Sequence, residues 1–249
     1  MILLLSPSKT MNFRGVISPA KISLPLFAKE ADALMRDLQS FSASDIVQRE
    51  QLSVRLAYST YESYQRFFVA DQPSKAALFA YSGTVFDKLN PVTFTDEQRT
   101  FAEDHLRIFS ALYGWLRPFD AIRAYRLDMN SGLIADLYSF WRERVTSVLM
   151  DTIGADDGVL INLASAEYFH IVDERKVAAS CQLITPVFKQ EKQGKLVINS
   201  LYAKEARGLM TRFIIENQLT DHEHLKAFME QGYLFSTNLS SQNEWVFVR

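Results

Sequence analysis

The chain has 249 residues, a formal net charge of −2, 48% hydrophobic residues and 22% charged residues. This composition is typical of folded globular proteins and excludes disordered, collagen-like and disulfide-rich classes. Cys181 is the only cysteine, which excludes an internal disulfide and any metal site built from several thiolates. We therefore expect a cytoplasmic protein. We expect no membrane partner, because no apolar run approaches the ~18 residues that a membrane-spanning helix needs.

The hydrophobic pattern of the first part of the chain predicts helices and short strands. Apolar residues at spacings of three and four predict two helices joined by a short turn, and a turn signal closes the first apolar run. The predicted elements are a buried strand at 2–5, a helix at 26–38, a helix from Ser44 through Tyr58, a strand at 76–81 and a helix from Thr95 to His105.

The remainder of the chain alternates irregularly between strand and helix patterns. The predicted elements are a strand at 106–112, a loop-like segment at 113–128, a helix at 137–149, a strand at 159–162, a hairpin of 183–189 with 195–201, a helix around 202–213, a helix begun by Thr220, and a hairpin from segments at Tyr233 and Glu244. No linker or repeat divides the chain. We predict one α/β domain over residues 1–249, with a mixed sheet surrounded by helices.

Basic residues are unevenly distributed along this slightly acidic chain. Residues 1–29 hold four basic residues and no acid, residues 105–126 hold four Arg against one Asp, and residues 202–212 hold three basic residues against one Glu. If these windows meet in the fold, they form a basic patch on an acidic body, which suits an anionic partner. If they do not meet, the segregation has no functional meaning.

Familiar catalytic and metal-binding patterns are absent from the sequence. There is no Walker A loop, G-x-G-x-x-G, G-x-S-x-G or H-E-x-x-H motif. His222 and His224 form a His-x-His pair, but on a helix their side chains diverge by ~200°. We therefore predict neither a metal site nor a cofactor.

Three polar residues follow the predicted strand at 159–162. Ser165 suits contact with a phosphate, and Glu167 and Tyr168 suit the role of acid, base or orienting group at the strand ends where open α/β sheets bind ligands. The alternative is structural: Ser165 caps a helix, and the Glu167 carboxylate favours the helix dipole in the first turn.

Two other segments allow similar alternatives. Lys9 lies in a Ser-Pro-Ser-Lys-Thr run directly after the first strand, where its ammonium and the hydroxyls suit an anion. Arg117 and Arg126 each precede an aspartate, so they suit either a ligand or an internal ion pair that fixes a long loop.

The helix around residue 206 has two unlike faces. One face is apolar and consists of Ala206, Leu209, Met210 and Phe213. The opposite face consists of Lys204, Arg207, Gly208 and Thr211.

Five ordered segments of the chain resemble the YaaA family of bacterial peroxide-stress proteins. They are LLSPSKTMNF at 4–13, HLRIFSALYGWLRPFDAIRAYRLDM at 105–129, LYSFW at 137–141, NLASAEYF at 162–169 and YAKEARGLMTRFII at 202–215. The resemblance implies a cytoplasmic protein that is induced by hydrogen peroxide and limits damage by lowering unincorporated iron. It also implies an α/β fold with a basic cleft, DNA binding and a helix-hairpin-helix element.

The resemblance also suggests which residues form the cleft. Its expected members are Lys9, Arg107, Arg117, Arg126, Lys204, Arg207, Gly208 and Thr211, with Gly208 permitting close approach of the ligand. The candidate hairpin is Ser42-Ala43-Ser44, which lacks the Gly that usually lets backbone amides approach a phosphate.

Two functions follow from these features. The first is a DNA-binding stress protein that neutralises phosphates and recognises DNA structure rather than sequence, without catalysis. The alternative is an enzyme acting on a small phosphorylated or carboxylated molecule, in which Lys9 and Arg207 hold the anion and Glu167 or Tyr168 moves a proton. A long open groove favours the first function, and a narrow deep pocket favours the second.

Overall fold

The computed structural model describes residues 1–15 and 22–249. The helices among them are α1 (Ala28–Gln39), α2 (Ala43–Glu50), α3 (Val54–Gln65), α4 (Ala77–Ala80), α5 (Thr84–Leu89), α6 (Asp96–His105), α7 (Leu137–Gly154), α8 (Ala166–Phe169), α9 (Glu174–Ser180) and α10 (Ser200–Glu216). The strands are β1 (Ile2–Leu5), β2 (Thr10–Met11), β3 (Ser74–Ala76), β4 (Tyr81–Ser82), β5 (Leu106–Ser110), β6 (Gly114–Leu116), β7 (Ala121–Arg123), β8 (Val159–Asn162), β9 (Gln182–Lys192), β10 (Lys195–Val197), β11 (Leu234–Phe235) and β12 (Glu244–Val248). Short 3-10 helices cover Pro91–Thr93, His222–Ala227, Glu230–Gly232 and Thr237–Leu239.

A central sheet has the strand order β11-β12-β9-β8-β1-β5-β6, and β10 pairs with β9 beside it. Neighbours are parallel for β1–β5, β1–β8, β8–β9 and β9–β12. They are antiparallel for β5–β6, β9–β10 and β11–β12. The sheet is therefore mixed and surrounded by helices, which confirms the predicted fold class.

The core is built around β1, which lies between β8 and β5. Leu3, Leu4 and Leu5 are completely buried, as expected for a parallel strand that is covered on both faces. Trp141 of α7 is also completely buried, and its indole nitrogen donates to the carbonyl of Ala111 at 2.8 Å. The largest of the fully buried side chains therefore has its one polar group satisfied.

Several predicted boundaries are confirmed by the structure. The strands at 2–5 and 159–162 agree at both ends with β1 and β8. Thr95 caps α6 through a reciprocal pair of hydrogen bonds with Gln98. Both predicted hairpins are present, as β9 with β10 and as β11 with β12. The predicted strand at 195–201 is too long, because β10 ends at Val197 and α10 begins at Ser200.

The predicted helix from Ser44 through Tyr58 is wrong in two ways. Ser42, not Ser44, is the N-cap, and α2 begins at Ala43. The helix ends where Gln51 adopts a left-handed conformation, with φ of 52°, and Ser53 caps a separate helix α3. Two serine caps in a short segment produce two short helices rather than one.

Three other segments differ from their predictions. The run at 76–81 is not a strand, because β3 ends at Ala76 and a buried helical turn, α4, follows. The segment at 113–128 includes the short strands β6 and β7. The helix expected after Thr220 is a 3-10 helix capped by Asp221. Short apolar runs do not distinguish a strand from a buried helical turn.

Among the residues that the structure describes, no helix combines the length and the apolar character required to cross a bilayer.

Candidate anion-binding site

A cavity of about 350 Å³ opens at the carboxyl ends of β1 and β8, which are adjacent parallel strands. Its lining comes from residues 6–10 after β1, residues 83–85 at the start of α5, residues between 163 and 168 after β8, and Lys204 with Arg207 on α10. The carboxyl edge of the strands is the usual ligand position in open α/β sheets. The topology therefore gathers side chains that are distant in sequence at one position.

Two serines connect the loops that follow β1 and β8. The hydroxyl of Ser6 donates to Ser165 Oγ at 3.1 Å and accepts from the backbone N–H of Ser165 at 2.8 Å. Ser165 is also the N-cap of α8, because its Oγ accepts from the N–H of Tyr168 at 3.4 Å. The structural alternative for Ser165 is thus observed, while the residue also lines the cavity.

A second pair of hydroxyls lies beside Gly83. Ser8 and Thr10 are hydrogen bonded through their side chains at 3.1 Å, and Thr10 Oγ1 donates to the carbonyl of Ser82 at 2.8 Å. Gly83 has a φ of +106°, and an added Cβ would lie 2.9 Å from Ser8 Oγ. Only glycine allows this approach. The sequence predictions did not include Gly83 or the adjoining Thr84 and Val85, although the Ser82-Gly83 turn signal marks their position.

The cations of the cavity differ in how they are paired. Lys9 Nζ lies 2.7 Å from Asp128 Oδ2, with most of the lysine side chain exposed. On α10, the acidic residues Glu205 and Glu216 pair with Lys88 and Arg212, respectively.

Lys204 and Arg207 therefore line the cavity without a carboxylate partner among the residues described by the structure. Burial lowers the pKa of the Arg207 guanidinium from its ordinary value. Arginine nevertheless remains protonated at neutral pH, so the lining holds three cations, Lys9, Lys204 and Arg207, against the single carboxylate of Glu167.

Glu167 and Tyr168 bring an acid and a phenol to the same cavity. Tyr168 is buried, and its desolvation raises the pKa of the phenol far above its ordinary value, with Tyr125, Asp128 and Glu167 adding to the shift. The phenol is therefore neutral at physiological pH and suited to donating a hydrogen bond rather than to accepting a proton.

The cavity residues fall within a match to a known family. A family model described as peroxide stress protein YaaA matches residues 1–239. The chain belongs to this YaaA family. The matched range contains every segment that lines the cavity.

Arg107 and Arg117 do not line the cavity of this YaaA-family chain. The Arg107 guanidinium donates to the carbonyls of Glu103 and Leu106 at 2.8 and 2.7 Å, near the amino end of β5. Arg117 lies 3.4 Å from buried Asp120 and 3.8 Å from Glu103. Arg117 is therefore ion paired within its loop, as its structural alternative predicts, whereas Arg107 is held by backbone carbonyls.

Of Arg126 and Lys21, two further residues of the basic windows, the structure describes only Arg126. Arg126 donates to the carbonyl of Lys9 at 3.3 Å and so lies beside the cavity lining. Lys21 of the first window lies outside the described residues. The three windows therefore meet only in part, through Lys9, Arg126 and the two cations of α10.

Gly208 and Thr211 have a packing role that corrects their expected contact with a ligand. A Cβ on Gly208 would lie 2.2 Å from the carbonyl oxygen of Val85 and 2.9 Å from Lys88 Cβ. Thr211 is completely buried, and its hydroxyl donates to the carbonyl of Arg207 at 2.8 Å. The close approach that Gly208 permits is that of α5 against α10.

Of the candidate hairpin Ser42-Ala43-Ser44, only Ser42 lies between α1 and α2, because Ala43 and Ser44 are the first residues of α2. The backbone amide of Ser42 already has a partner. The N–H and the hydroxyl of Ser42 both donate to Asp45 Oδ2, at 2.9 and 2.6 Å. The Ser42 hydroxyl bond lowers the pKa of Asp45, so a carboxylate is present at this turn. Ala43 is buried. In this family member the Asp45 carboxylate therefore places a negative charge at the turn and occupies the N–H and O–H groups of Ser42. Phosphate binding would require those donors to be free.

Proposed function

We propose that this protein acts in the cytoplasm during the peroxide stress response and binds DNA through its phosphates, using Lys204, Arg207 and Lys9 at the cavity. Membership of the peroxide stress protein YaaA family supports the stress role. Recognition through phosphates favours DNA structure over base sequence, because phosphate contacts carry no sequence information directly.

One observation carries the binding proposal: Lys204 and Arg207 lie one helical turn apart in a cavity and are unpaired among the described residues. Placing a guanidinium in a partly desolvated position is costly unless an anion compensates it. A phosphate oxyanion satisfies this requirement, since guanidinium and phosphate form two parallel hydrogen bonds.

The salt dependence of binding tests this proposal. We expect the logarithm of the association constant for duplex DNA to fall linearly with the logarithm of the salt concentration, with a slope of roughly −0.9 for each phosphate contacted. Fluorescence anisotropy with a labelled duplex measures this slope. Binding that does not change with salt, or no binding at low salt, would refute the proposal.

Limitation of iron-dependent damage belongs to the same proposal, as a consequence of the stress role rather than of an iron site. Within residues 1–15 and 22–249, no group of three His, Cys, Asp or Glu side chains is placed to hold a metal ion. The test is the level of unincorporated iron in peroxide-treated cells with and without the protein. Equal levels would remove this part of the proposal.

The presence of Glu167 in the cavity favours a second candidate function. A carboxylate repels a bound phosphate but suits an enzyme that moves a proton on a small phosphorylated or carboxylated substrate. If Glu167 is a general acid or base, Glu167→Gln loses protection against peroxide, because such groups contribute ~10²–10⁴ in rate. If the cavity only binds phosphate, the same variant retains protection and binds DNA equally well or slightly more tightly.

A further inference from the structure

We propose that the cavity takes a single nucleotide unit, with its phosphate at Arg207 and Lys204 and its base against the apolar part of the lining. The inference rests on the phosphate-binding function proposed above and specifies the ligand of the same site. Three properties of the cavity support it: its size, its mixture of charges and its apolar surface.

The size of the cavity excludes a base-paired duplex from its interior. About 350 Å³ lies near the lower end of the ~300–1,000 Å³ typical of small-molecule pockets. Arg207 lines the cavity and is only partly exposed, so a ligand that contacts its guanidinium there enters the cavity. A nucleic acid strand satisfies this condition only where a nucleotide is unpaired, as at an end, a gap or a flipped base.

The charges of the lining suit a nucleotide better than a bare phosphate. Arg207 and Lys204 supply two positive charges, and the hydroxyls of Ser8 and Ser165 lie in the same lining. Glu167 opposes any phosphate placed beside it, so the phosphate is directed towards α10. A carboxylate accepts hydrogen bonds from base N–H groups and sugar hydroxyls, and a nucleotide carries such groups beyond its phosphate.

The apolar part of the lining provides a surface for a base. It is formed by Pro7 and Val85, which are partly exposed, beside Leu163 and Tyr168, which are buried. Removal of a base face from water against apolar groups stabilises binding whatever the base sequence. An inorganic phosphate ion has no apolar group that could be buried against this surface.

The same chemistry is offered by an unpaired position in DNA and by a free mononucleotide. Anisotropy measurements on the full chain distinguish these sources, with three labelled DNAs: a blunt duplex, the same duplex with a single-stranded overhang, and the single strand. Thymidine 5′-monophosphate, thymidine and inorganic phosphate are then added separately as competitors.

If the inference is correct, the overhang and the single strand bind at least ~10-fold more tightly than the blunt duplex, and the mononucleotide competes better than thymidine or phosphate alone. Displacement by the mononucleotide together with no preference for unpaired DNA identifies the free nucleotide as the source. Equal binding of all three DNAs without competition by the mononucleotide overturns the inference and leaves the proposed function standing.

Two variants connect the result to the cavity. Arg207→Gln is expected to weaken mononucleotide binding by about 10-fold or more, whereas Arg55→Gln, at an exposed position on α3, leaves it unchanged. Val85→Phe fills the apolar side and is expected to weaken the mononucleotide much more than inorganic phosphate. Equal losses for Arg207→Gln and Arg55→Gln contradict the inference.

Direct titration of the mononucleotide, without DNA, tests nucleotide binding in the cavity separately from the proposed DNA-binding function. Absence of DNA binding together with cavity-dependent mononucleotide binding overturns the DNA function and keeps the inference. Absence of both overturns both. If Val85→Phe does not fold, the comparison of mononucleotide with thymidine and phosphate on the unchanged protein still decides the question.

Discussion

Ser6 and Ser165 are 159 residues apart in sequence, yet Ser6 Oγ both donates to Ser165 Oγ at 3.1 Å and accepts from its N–H at 2.8 Å. This reciprocal contact joins the end of β1 to the cap of α8, and both residues line the cavity. The geometry of the cavity therefore depends on a connection that neither loop forms alone.

The first prediction concerns this connection. Ser6→Ala leaves the N–H of Ser165 without its partner and should cost about 1–2 kcal/mol of unfolding free energy, measured by urea denaturation. It should also weaken phosphate binding, because the two loops lose their fixed spacing. Ser44→Ala, at an exposed serine on α2, is the matched control and should change neither quantity. A Ser6→Ala variant with unchanged stability would show that the contact is unimportant.

The second prediction concerns the packing of α10 on α5. Gly208→Ala places a Cβ 2.2 Å from the carbonyl oxygen of Val85, so the helices must separate. We expect a loss of about 1–3 kcal/mol in unfolding free energy. Gly154→Ala at the end of α7 is the control, because nothing lies within 4 Å of its added Cβ. Equal stability of the two variants would contradict the packing role.

The secondary-structure elements differ in how far the sequence predicts them. Elements with their own end signals were predictable: β1 and β8 are continuous apolar runs next to turn residues, and α6 carries its reciprocal cap. The helix content at Ala77–Ala80 was not predictable, because a four-residue buried turn has no periodicity to read. Local signals determine local elements, whereas short buried segments depend on their neighbours.

The same distinction applies to the site. The sequence singled out Lys9, Ser165 and Arg207, and the fold gathers them around one cavity. It misplaced Arg107 because the acceptors of its guanidinium, the carbonyls of Glu103 and Leu106, become available only in three dimensions. Gly208 was assigned to a ligand because a glycine on a polar helix face does not show whether a helix or a ligand approaches it.

The third prediction is a pH dependence. Burial raises the pKa of Tyr125 to about 12 from its ordinary 10.0, and its hydroxyl is hydrogen bonded to Ser110 and Tyr81. Because the folded state holds this proton more tightly, the stabilisation is complete below pH 10 and is lost as pH rises through about 12.

Tyr125→Phe tests this dependence. The variant lacks the titrating group, so its unfolding free energy should fall less steeply across that alkaline range, by up to about 3 kcal/mol in total. Urea denaturation at a series of pH values measures the difference. Identical slopes for the variant and the unchanged protein would show that Tyr125 does not titrate as the structure implies.

The fourth prediction concerns the turn between α1 and α2. Ser42→Ala removes the reciprocal cap with Asp45 and should cost about 1 kcal/mol, as N-cap replacements do. DNA affinity should not change, because the Asp45 carboxylate already occupies the Ser42 amide. Thermal unfolding and anisotropy measure the two quantities. A folded variant with clearly weakened DNA binding would restore the turn as a DNA contact.

The proposed function depends most directly on the two unpaired cations of α10. Lys204→Ala combined with Arg207→Ala should fold normally, since Lys204 is exposed and Arg207 has no ion-pair partner among the described residues. The control is Arg55→Ala combined with Lys195→Ala, which removes the same charge from exposed positions outside the cavity lining.

The decisive measurement is the DNA affinity of these two double variants by anisotropy at low salt. We expect the α10 variant to lose about 10-fold or more in affinity, with a log–log salt slope that is shallower by roughly 1–2 units. We expect the control variant to retain most of the affinity. Equal affinity for the α10 variant and the unchanged protein would contradict DNA binding through Lys204 and Arg207.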